Sequence, residues 1–240
     1  MDFNPETRMI VKLLAGSNLY GTNLDNSDQD IRGIVIAPAK YHLGLERFEH
    51  YDDPDEDKVY YDIKKFVKLV AKGNPHVIEW MYAPSYFIKD MYGNWLFRIC
   101  REHAISQRLI KHHIGMATNH MRRIDEPGRK CGVKGKELIK KFGYNTKDAA
   151  CIVRVLEQCI EMLTLGKLVM PRPNADILLN IRHGGWSLDH LRSYIDIQLE
   201  GIRTIEEKGL SILPKKPRFN KLNEEIVNLV SHFLKARHEI

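Results

Sequence analysis

The chain has 240 residues, of which 43% are hydrophobic and 28% charged, so it can bury a core of one large domain or two small ones. No apolar run approaches the ~20 residues of a membrane span, and the N-terminus lacks the layout of a signal peptide, so we expect a soluble cytoplasmic protein with no membrane association. The four cysteines form no CxxC pair, which argues against a zinc knuckle, and the net charge of +6 favours an anionic partner.

The first third of the chain mixes short apolar runs with turns. Residues 9–16 are apolar and periodic and predict the end of a helix, and the β-branched run over 31–37 predicts a strand. An acidic segment, expected to be a loop, leads into a second predicted strand over 58–63, where apolar and polar side chains alternate. A helix over 64–73 follows, and Asn74 is the expected N-cap of the next helix.

Beyond about residue 92 the strand signals almost vanish, and apolar stripes at helical spacing take their place. We expect one helix to be capped by Thr146 and to end at Gly166, and another to run from Ser187 to Gly209. Two segments rich in glycine, proline, lysine and arginine predict loops, at 125–137 and 213–221. The prediction is an α+β fold with a core over 1–90 and an all-helical part over 91–240.

Two aspartates, Asp28 and Asp30, stand one residue apart at the start of the first predicted strand. Residues i and i+2 of a strand point the same way, so the two carboxylates are expected side by side. Hard oxygen ligands suit Mg²⁺, and two such ions can activate an attacking hydroxyl and neutralise a leaving pyrophosphate; Mn²⁺ is an alternative. An EF-hand loop is excluded, because Ile31 occupies the position of its turn glycine.

This chemistry also needs a third carboxylate and a phosphate cradle. Asp62, on the polar face of the second predicted strand, is the candidate for the third carboxylate, and Asp57 is the alternative. Glycine lets backbone approach a phosphate closely and serine adds a hydroxyl donor, so a Gly-Ser turn is a candidate cradle. The cradle candidates are Gly16, Ser17, Gly21 and Thr22. Lys65 follows Asp62 and is placed to neutralise triphosphate charge, although lysines on an amphipathic helix usually form its solvated face.

The segment GSNLYGTNLDNSDQDIRGI resembles the Gly-Ser…Asp-x-Asp signature of the DNA polymerase beta nucleotidyltransferase superfamily. Together with YYDIKKFVKLVAKGNPHVIEWMY, it is similar to the RNA-repair-pathway polymerase beta family, and GYNTKDAACIVRVLEQCIEMLTLGKLVM resembles that branch's helical part. The resemblance implies a mixed-sheet core that uses three carboxylates, two Mg²⁺ ions and a nucleoside triphosphate.

The resemblance also implies roles for individual residues. Gly16 and Ser17 would hold the β- and γ-phosphates, and the metal ligands would be Asp28, Asp30 and Asp62. Arg32 is a candidate phosphate contact, and a surface arginine is the equal alternative. Arg154 matches an arginine of the branch, and a structural ion pair explains it nearly as well. The chain departs from the branch where histidines are frequent, at Asp148 and Cys151.

Basic residues concentrate in the C-terminal two thirds of the chain, mainly in and around the two predicted loops. Such loops suit a nucleic-acid backbone, and each neutralised phosphate adds salt dependence to binding. Solvated loops without a partner are the alternative. The candidate nucleic-acid contacts are Arg122, Arg123, Arg129, Lys130, Lys134, Lys136, Arg154, Lys215 and Lys216.

These patterns predict a Mg²⁺-dependent nucleotidyltransferase that moves a nucleoside monophosphate from a triphosphate to a hydroxyl and releases pyrophosphate. A nucleic-acid 3′ end is the expected acceptor, with RNA favoured over DNA because of the resemblance. Two alternatives stay open: adenylylation of a protein or small molecule, and a non-catalytic nucleic-acid-binding module on the same fold.

Overall fold

A mixed five-stranded sheet forms the N-terminal part of the protein. The computed structural model describes residues 3–24, 27–126 and 132–240. The strands are β1 (Met9–Leu14), β2 (Ile31–Val35), β3 (His50–Asp53), β4 (Lys58–Asp62) and β5 (Ile88–Lys89). They lie in the order β3-β4-β2-β1-β5, with β2 and β4 parallel and the other described pairs antiparallel. This sheet, with the helices that follow it, confirms the predicted α+β class.

Strand β1 corrects the prediction of a helix end over residues 9–16. Its backbone pairs with β2 on one side and with β5 on the other, so both of its edges are hydrogen-bonded within the sheet. Side chains on both of its faces are buried: Val11 belongs to the main core cluster, and Met9 to a smaller cluster with Val35 and Tyr60. A short strand buried on both faces is a continuous apolar run, which periodicity alone cannot distinguish from a buried helix.

Eleven α-helices occupy much of the rest of the described chain. The N-terminal helices are α1 (Gly16–Tyr20), α2 (Ala39–Leu43), α3 (Ile63–Lys72), α4 (Pro75–Trp80) and α5 (Met91–Ile99). Helix α5 continues into a π-helical turn over Cys100–Ala104. The C-terminal helices are α6 (Leu109–Asp125), α7 (Val133–Phe142), α8 (Thr146–Leu165), α9 (Ala175–Arg182), α10 (Leu188–Glu207) and α11 (Phe219–Ala236). None of them is both long and apolar enough to cross a membrane.

The helix ends match the sequence signals in some places and differ in others. Ser187 caps α10 as predicted, accepting a hydrogen bond from the His190 backbone N–H. Asn145 rather than Thr146 caps α8, and the Thr146 hydroxyl donates to the Arg182 carbonyl instead. The Asn74 side chain makes no capping hydrogen bond, although α4 does begin at the next residue. Both predicted loops are partly helical, because α7 begins inside the first and α11 inside the second.

One face of the sheet carries the hydrophobic core, which continues into the helical part. Helices α3 and α5 pack against that face, and α5 lies so close to β1 that a Cβ at Gly93 would stand 2.4 Å from the Ile10 carbonyl oxygen. Helix α8 lies at the centre of the helical part, with 13 of its 20 residues buried, and packs against α6, α9 and α10. Because one core cluster includes residues from both sides of position 90, the division into two domains stays a prediction.

Two glycines that end helices offer a matched test of this packing. Gly73 and Gly143 both adopt left-handed φ angles, +87° and +84°. A Cβ at Gly73 would lie 2.4 Å from the Leu109 Cα, whereas a Cβ at Gly143 would have no neighbouring atom of the described residues within 4 Å. We expect Gly143→Ala to lower the free energy of unfolding by about 1 kcal/mol, the cost of the left-handed conformation. We expect Gly73→Ala to cost at least about 2 kcal/mol more, because backbone must move. Urea unfolding measures both, and equal losses would contradict the packing described.

Candidate active site

A large open cavity of about 1240 Å³ lies between the sheet and the helical part. One wall is formed by α1, the residues that precede β2, parts of β4, and α4. The opposite wall is formed by α6, α7, α8 and α9. Gly16, Ser17, Asp28 and Asp30 all line this cavity, so the two halves of the sequence signature come together.

The contact between Gly16 and Asp30 explains why a glycine occupies this position. The Gly16 φ angle is +60°, and a Cβ built there would lie 2.0 Å from the Asp30 Oδ2. A side chain at position 16 would therefore collide with the carboxylate. The Ala15 backbone N–H donates to the Asp30 carbonyl at 2.8 Å, which fixes the Gly-Ser turn beside the aspartate.

The two aspartates precede β2 rather than lying on it, because the strand begins at Ile31. The predicted strand geometry for the pair is therefore wrong, although both side chains still line the cavity. Asp28 is exposed and accepts a hydrogen bond from Lys134 Nζ at 3.1 Å, from helix α7. Asp30 is less exposed and forms an ion pair with Arg32 at 3.0 Å.

Asp57 lies beside Asp30, because β2 and β4 are parallel with Ile31 opposite Lys58. Nη2 of Arg32 contacts Oδ1 of Asp30 and Oδ1 of Asp57, each at 3.0 Å. The Asp57 carbonyl also accepts from the Ile31 N–H at 3.0 Å and from Arg32 at 2.6 Å. Burial, and then the hydrogen bond with Asp57, raise the pKa of Asp30 above its usual value. The neighbouring Asp57 carboxylate therefore disfavours ionisation of Asp30.

Asp62 is not part of this group, which corrects the predicted position of Asp62 beside the aspartate pair. It lies opposite Val35, four residues further along β4 than Lys58, or roughly 13 Å at about 3.3 Å per residue. Its side chain is 1% exposed and caps α3, accepting from the Lys64 N–H at 2.9 Å. Its other oxygen has no hydrogen-bond partner among the described residues, and His42 Nε2 lies 3.9 Å away. The alternation along β4 turns Tyr61, not Asp62, toward the cavity.

The donor set fits a magnesium ion by its chemistry, because it consists of hard carboxylate oxygens: Asp28 and Asp30 line the cavity, and Asp57, which does not line it, contacts Arg32 beside them. Asp30 and Asp57 share one guanidinium nitrogen, and because Gly16 has no Cβ the Asp30 carboxylate lies directly against the backbone of the Gly-Ser turn. In the described part of the chain, no three acidic, histidine or cysteine side chains converge closely enough to hold a metal ion as they stand. Arg32 and Lys134 supply the positive charge at these carboxylates.

A buried polar group at the base of the cavity connects its two walls. Arg154 on α8 forms an ion pair with Glu79 on α4, and their side chains are 6% and 2% exposed. Tyr20 on α1 donates to Glu79 at 2.7 Å, and its ring lies 3.8 Å from the Arg154 guanidinium carbon. Gln158 accepts from Arg154 at 3.0 Å. Arg154 thus lines the cavity, but Glu79 compensates its charge, which is the structural ion pair named above as the alternative.

The other predicted nucleotide and nucleic-acid contacts divide into two groups. Thr22, Arg32, Arg123 and Lys134 line the cavity. The remaining candidates that the structure describes do not line it: Gly21, which packs on Pro171; Lys65, which lies against His50 and Glu49; and Arg122, Lys136, Lys215 and Lys216. Arg129 and Lys130 lie outside the described residues.

Several residues that line the cavity were not among the predicted site residues. Tyr61 stacks on Trp80 with ring centroids 5.4 Å apart, and both line the cavity. His120, Lys147 and Arg182 reach it from three different helices. No spacing in the sequence relates these three, since only the packing of α6, α8 and α9 unites them. Tyr61 alone carried a signal, because it alternates with Asp62 along β4.

The chain belongs to the RNA repair pathway DNA polymerase beta family, whose model matches residues 4–232. Membership indicates a nucleotidyltransferase role in RNA repair. In an alignment 247 residues long, the chain is 22% identical to the uncharacterized protein YcgL of Bacillus subtilis, and the alignment covers 95% of this chain and 92% of that protein. Over 144 residues it is 26% identical to an uncharacterized 38.9 kDa protein from the nrdC-mobD intergenic region of Enterobacteria phage T4. That match covers 55% of this chain and 41% of the phage protein, so the chain spans less than half of its length.

The burial of Asp62 generates a prediction about pH. Burial raises its pKa to about 6, above the usual 3.8. A carboxyl group with a raised pKa in the folded protein stabilises it below the unfolded pKa, and this contribution is lost as pH rises through 6. Asparagine also caps helices but does not ionise. We therefore expect Asp62→Asn and wild type to be similarly stable at pH 4, and the variant to be more stable by roughly 3 kcal/mol at pH 7.5. Urea unfolding at several pH values measures this, and parallel curves would contradict it.

The buried ion pair generates a prediction about stability. Glu79→Ala leaves the Arg154 charge buried without its partner, so we expect a loss of about 3 to 5 kcal/mol in the free energy of unfolding. Glu200 forms a surface pair with Arg203 at 2.9 Å, in which both side chains are 64% exposed. Glu200→Ala is the matched control, with an expected loss below about 1 kcal/mol. Similar losses in the two variants would show that the buried pair does not hold the two walls together.

Proposed function

We propose that this protein is a Mg²⁺-dependent nucleotidyltransferase that transfers a nucleoside monophosphate from a nucleoside triphosphate to a hydroxyl and releases pyrophosphate. The observation that carries the proposal is the contact of Gly16 with Asp30 on the wall of a large cavity, where Asp28 and Ser17 also lie. A glycine turn against a carboxylate puts a phosphate-binding backbone next to a metal-binding side chain. Family membership supports the same chemistry.

In this proposal Asp28, Asp30 and Asp57 hold the ions, with Mn²⁺ as an alternative occupant. Bound Mg²⁺ would neutralise charge on the leaving pyrophosphate and activate the attacking hydroxyl. Gly16 and Ser17 bind the triphosphate, because the glycine lets the backbone lie directly against the Asp30 carboxylate and the serine donates a hydrogen bond. Arg32 orients Asp30 and Asp57 through its contacts with both. Tyr61, stacked on Trp80, offers an aromatic face to a base.

The acceptor we propose is a nucleic acid, with RNA preferred over DNA. The cavity of about 1240 Å³ exceeds the ~300–1,000 Å³ typical of small-molecule pockets, which leaves room for an acceptor beside a nucleotide. Cationic side chains line the wall opposite the carboxylates: Arg123, Lys134, Lys141, Lys147 and Arg182. A row of cations suits a phosphate backbone, and binding should weaken as salt rises. The preference for RNA rests on the family.

Transfer of an α-phosphate label tests the proposal. The protein is incubated with Mg²⁺, each α-labelled nucleoside triphosphate in turn, and a pool of short RNA, short DNA and total tRNA. We expect label on the nucleic acid, and none with the double variant Asp28→Ala, Asp30→Ala. Because Asp57 and not Asp62 lies beside Asp30, we expect Asp57→Asn to lower turnover at least about 100-fold and Asp62→Asn to change it less than about threefold.

The remaining outcomes distinguish the alternatives. Turnover that survives Asp57→Asn and is abolished by Asp62→Asn would make our third carboxylate wrong. Label on the protein itself, or on a small molecule, would favour adenylylation. Salt-sensitive RNA binding without label on any acceptor would favour a non-catalytic nucleic-acid-binding module.

A further inference from the structure

Three side chains on the cavity wall opposite the carboxylates form a chain of hydrogen bonds. Sγ of Cys151, on α8, lies 3.2 Å from Nε2 of His120, on α6. Nδ1 of the same histidine lies 2.6 Å from Oδ1 of Asp148, which is one turn before Cys151 on α8. Thiol, imidazole and carboxylate therefore stand in the order that activates a sulfur nucleophile, with the histidine between the other two.

Two arginines complete the surroundings of this Cys151–His120–Asp148 group. Arg154 lies one turn beyond Cys151 on α8, and its Nη2 is 3.6 Å from the sulfur. Arg123, one turn beyond His120 on α6, donates to the Asp148 carboxylate at 2.8 Å. The sulfur thus has a guanidinium on one side and an imidazole on the other, while Asp148 holds the imidazole in place.

This environment favours the charged form of both Cys151 and His120. Burial opposes ionisation of the thiol, but the Arg154 charge and the hydrogen bond with His120 outweigh it and lower the pKa of Cys151. Burial also lowers the pKa of His120, yet the hydrogen bonds with Asp148 and Cys151 raise that pKa to about 9. The ionisable groups around the sulfur come from four helices: Tyr20 on α1, Glu79 on α4, His120 and Arg123 on α6, and Asp148 and Arg154 on α8.

We propose that Cys151 is a reactive thiolate that small hydroperoxides oxidise to a sulfenic acid, so that the cavity wall carries a site of reversible oxidative modification. Nucleotidyl transfer as described above needs no thiol, and the proposal stands independently of it. A thiolate stabilised by neighbouring cations and open to a cavity is the microenvironment in which cysteines react with oxidants. Cys151 is partly buried on the cavity wall, which favours a small, uncharged oxidant.

The reaction balances with the groups present and one hydroperoxide. The Cys151 thiolate attacks the terminal oxygen of the hydroperoxide, so an S–O bond forms and the O–O bond breaks. The sulfur loses two electrons and becomes a sulfenic acid, which keeps the hydrogen of the terminal oxygen. The leaving alkoxide, or hydroxide in the case of hydrogen peroxide, takes the proton of His120 Nε2 and departs as an alcohol or water. A small thiol then reduces the sulfenic acid in two steps, through a mixed disulfide.

The other cysteines provide internal controls. Cys100 and Cys159 are free thiols with no exposed surface, and burial raises the pKa of each, that of Cys159 to about 12. Buried thiols of this kind are inert. Cys131 lies outside the described residues, and peptide mass spectrometry quantifies its oxidation separately from that of Cys151.

The test measures the rate at which each thiol disappears. The native protein is exposed to hydrogen peroxide at pH 7, samples are quenched with catalase, and the remaining thiols are alkylated after denaturation and quantified by peptide mass spectrometry. We expect Cys151 to be lost at least about tenfold faster than Cys100 and Cys159, with gain of one oxygen that dithiothreitol reverses. We expect His120→Gln to slow the loss of Cys151 about tenfold.

The variants keep the proposal falsifiable. If His120→Gln unfolds the protein, Cys100 and Cys159 are lost faster as well. The variant Asp148→Asn then takes the place of His120→Gln in the test. We expect Asp148→Asn to slow the oxidation of Cys151 less than about tenfold, because the imidazole is kept and only its carboxylate partner is lost. The pH profile gives a further measure: because the hydrogen bond with His120 lowers the pKa of Cys151, the rise of the rate with pH should lie at higher pH in His120→Gln than in the wild type. Loss of Cys151 no faster than Cys159, or an unchanged rate in both variants, would overturn the proposal.

Discussion

The buried ion pair between Arg154 and Glu79 is the interaction on which the rest of the cavity depends. Two charges that are nearly removed from water are stable only when they are paired and their remaining donors and acceptors are satisfied. Here Tyr20 and Gln158 supply the additional hydrogen bonds, so α1, α4 and α8 are held to one another at the base of the cavity. Because α1 begins at Gly16, this contact also fixes the Gly-Ser turn relative to the helical wall.

Charge is distributed unequally across the cavity, and this distribution suits its proposed ligands. The wall next to the sheet carries Asp28 and Asp30, and the helical wall carries lysines and arginines. Carboxylates at one side attract divalent cations, while cations at the other attract phosphates. Lys134 spans the gap to Asp28 in the structure, which shows that the two walls are close enough to act on one ligand.

Helix α8 serves both the core and the cavity because its two faces differ. Residues Ile152, Leu156, Cys159 and Leu163 are fully buried, as the stripe in the sequence predicts. A neighbouring face repeats at three-residue intervals through Asp148, Cys151 and Arg154, and these side chains meet α6 and α4 at the cavity. The buried stripe therefore orients the polar face, and the same packing that buries the core positions the polar side chains at the cavity.

The sequence by itself determined the features that depend on local chemistry. These include the α+β class, the helix end at Gly73, the cap at Ser187, and the signature that joins Gly16 and Ser17 to Asp28 and Asp30. The tertiary structure decided the rest. Residues 9–14 form a strand because two neighbours pair with them, and part of the acidic loop became β3 for the same reason. The parallel register of β2 and β4 places Asp57 rather than Asp62 beside Asp30, and helix packing brings His120 to Cys151. Such pairings join residues distant in sequence, so no local pattern encodes them.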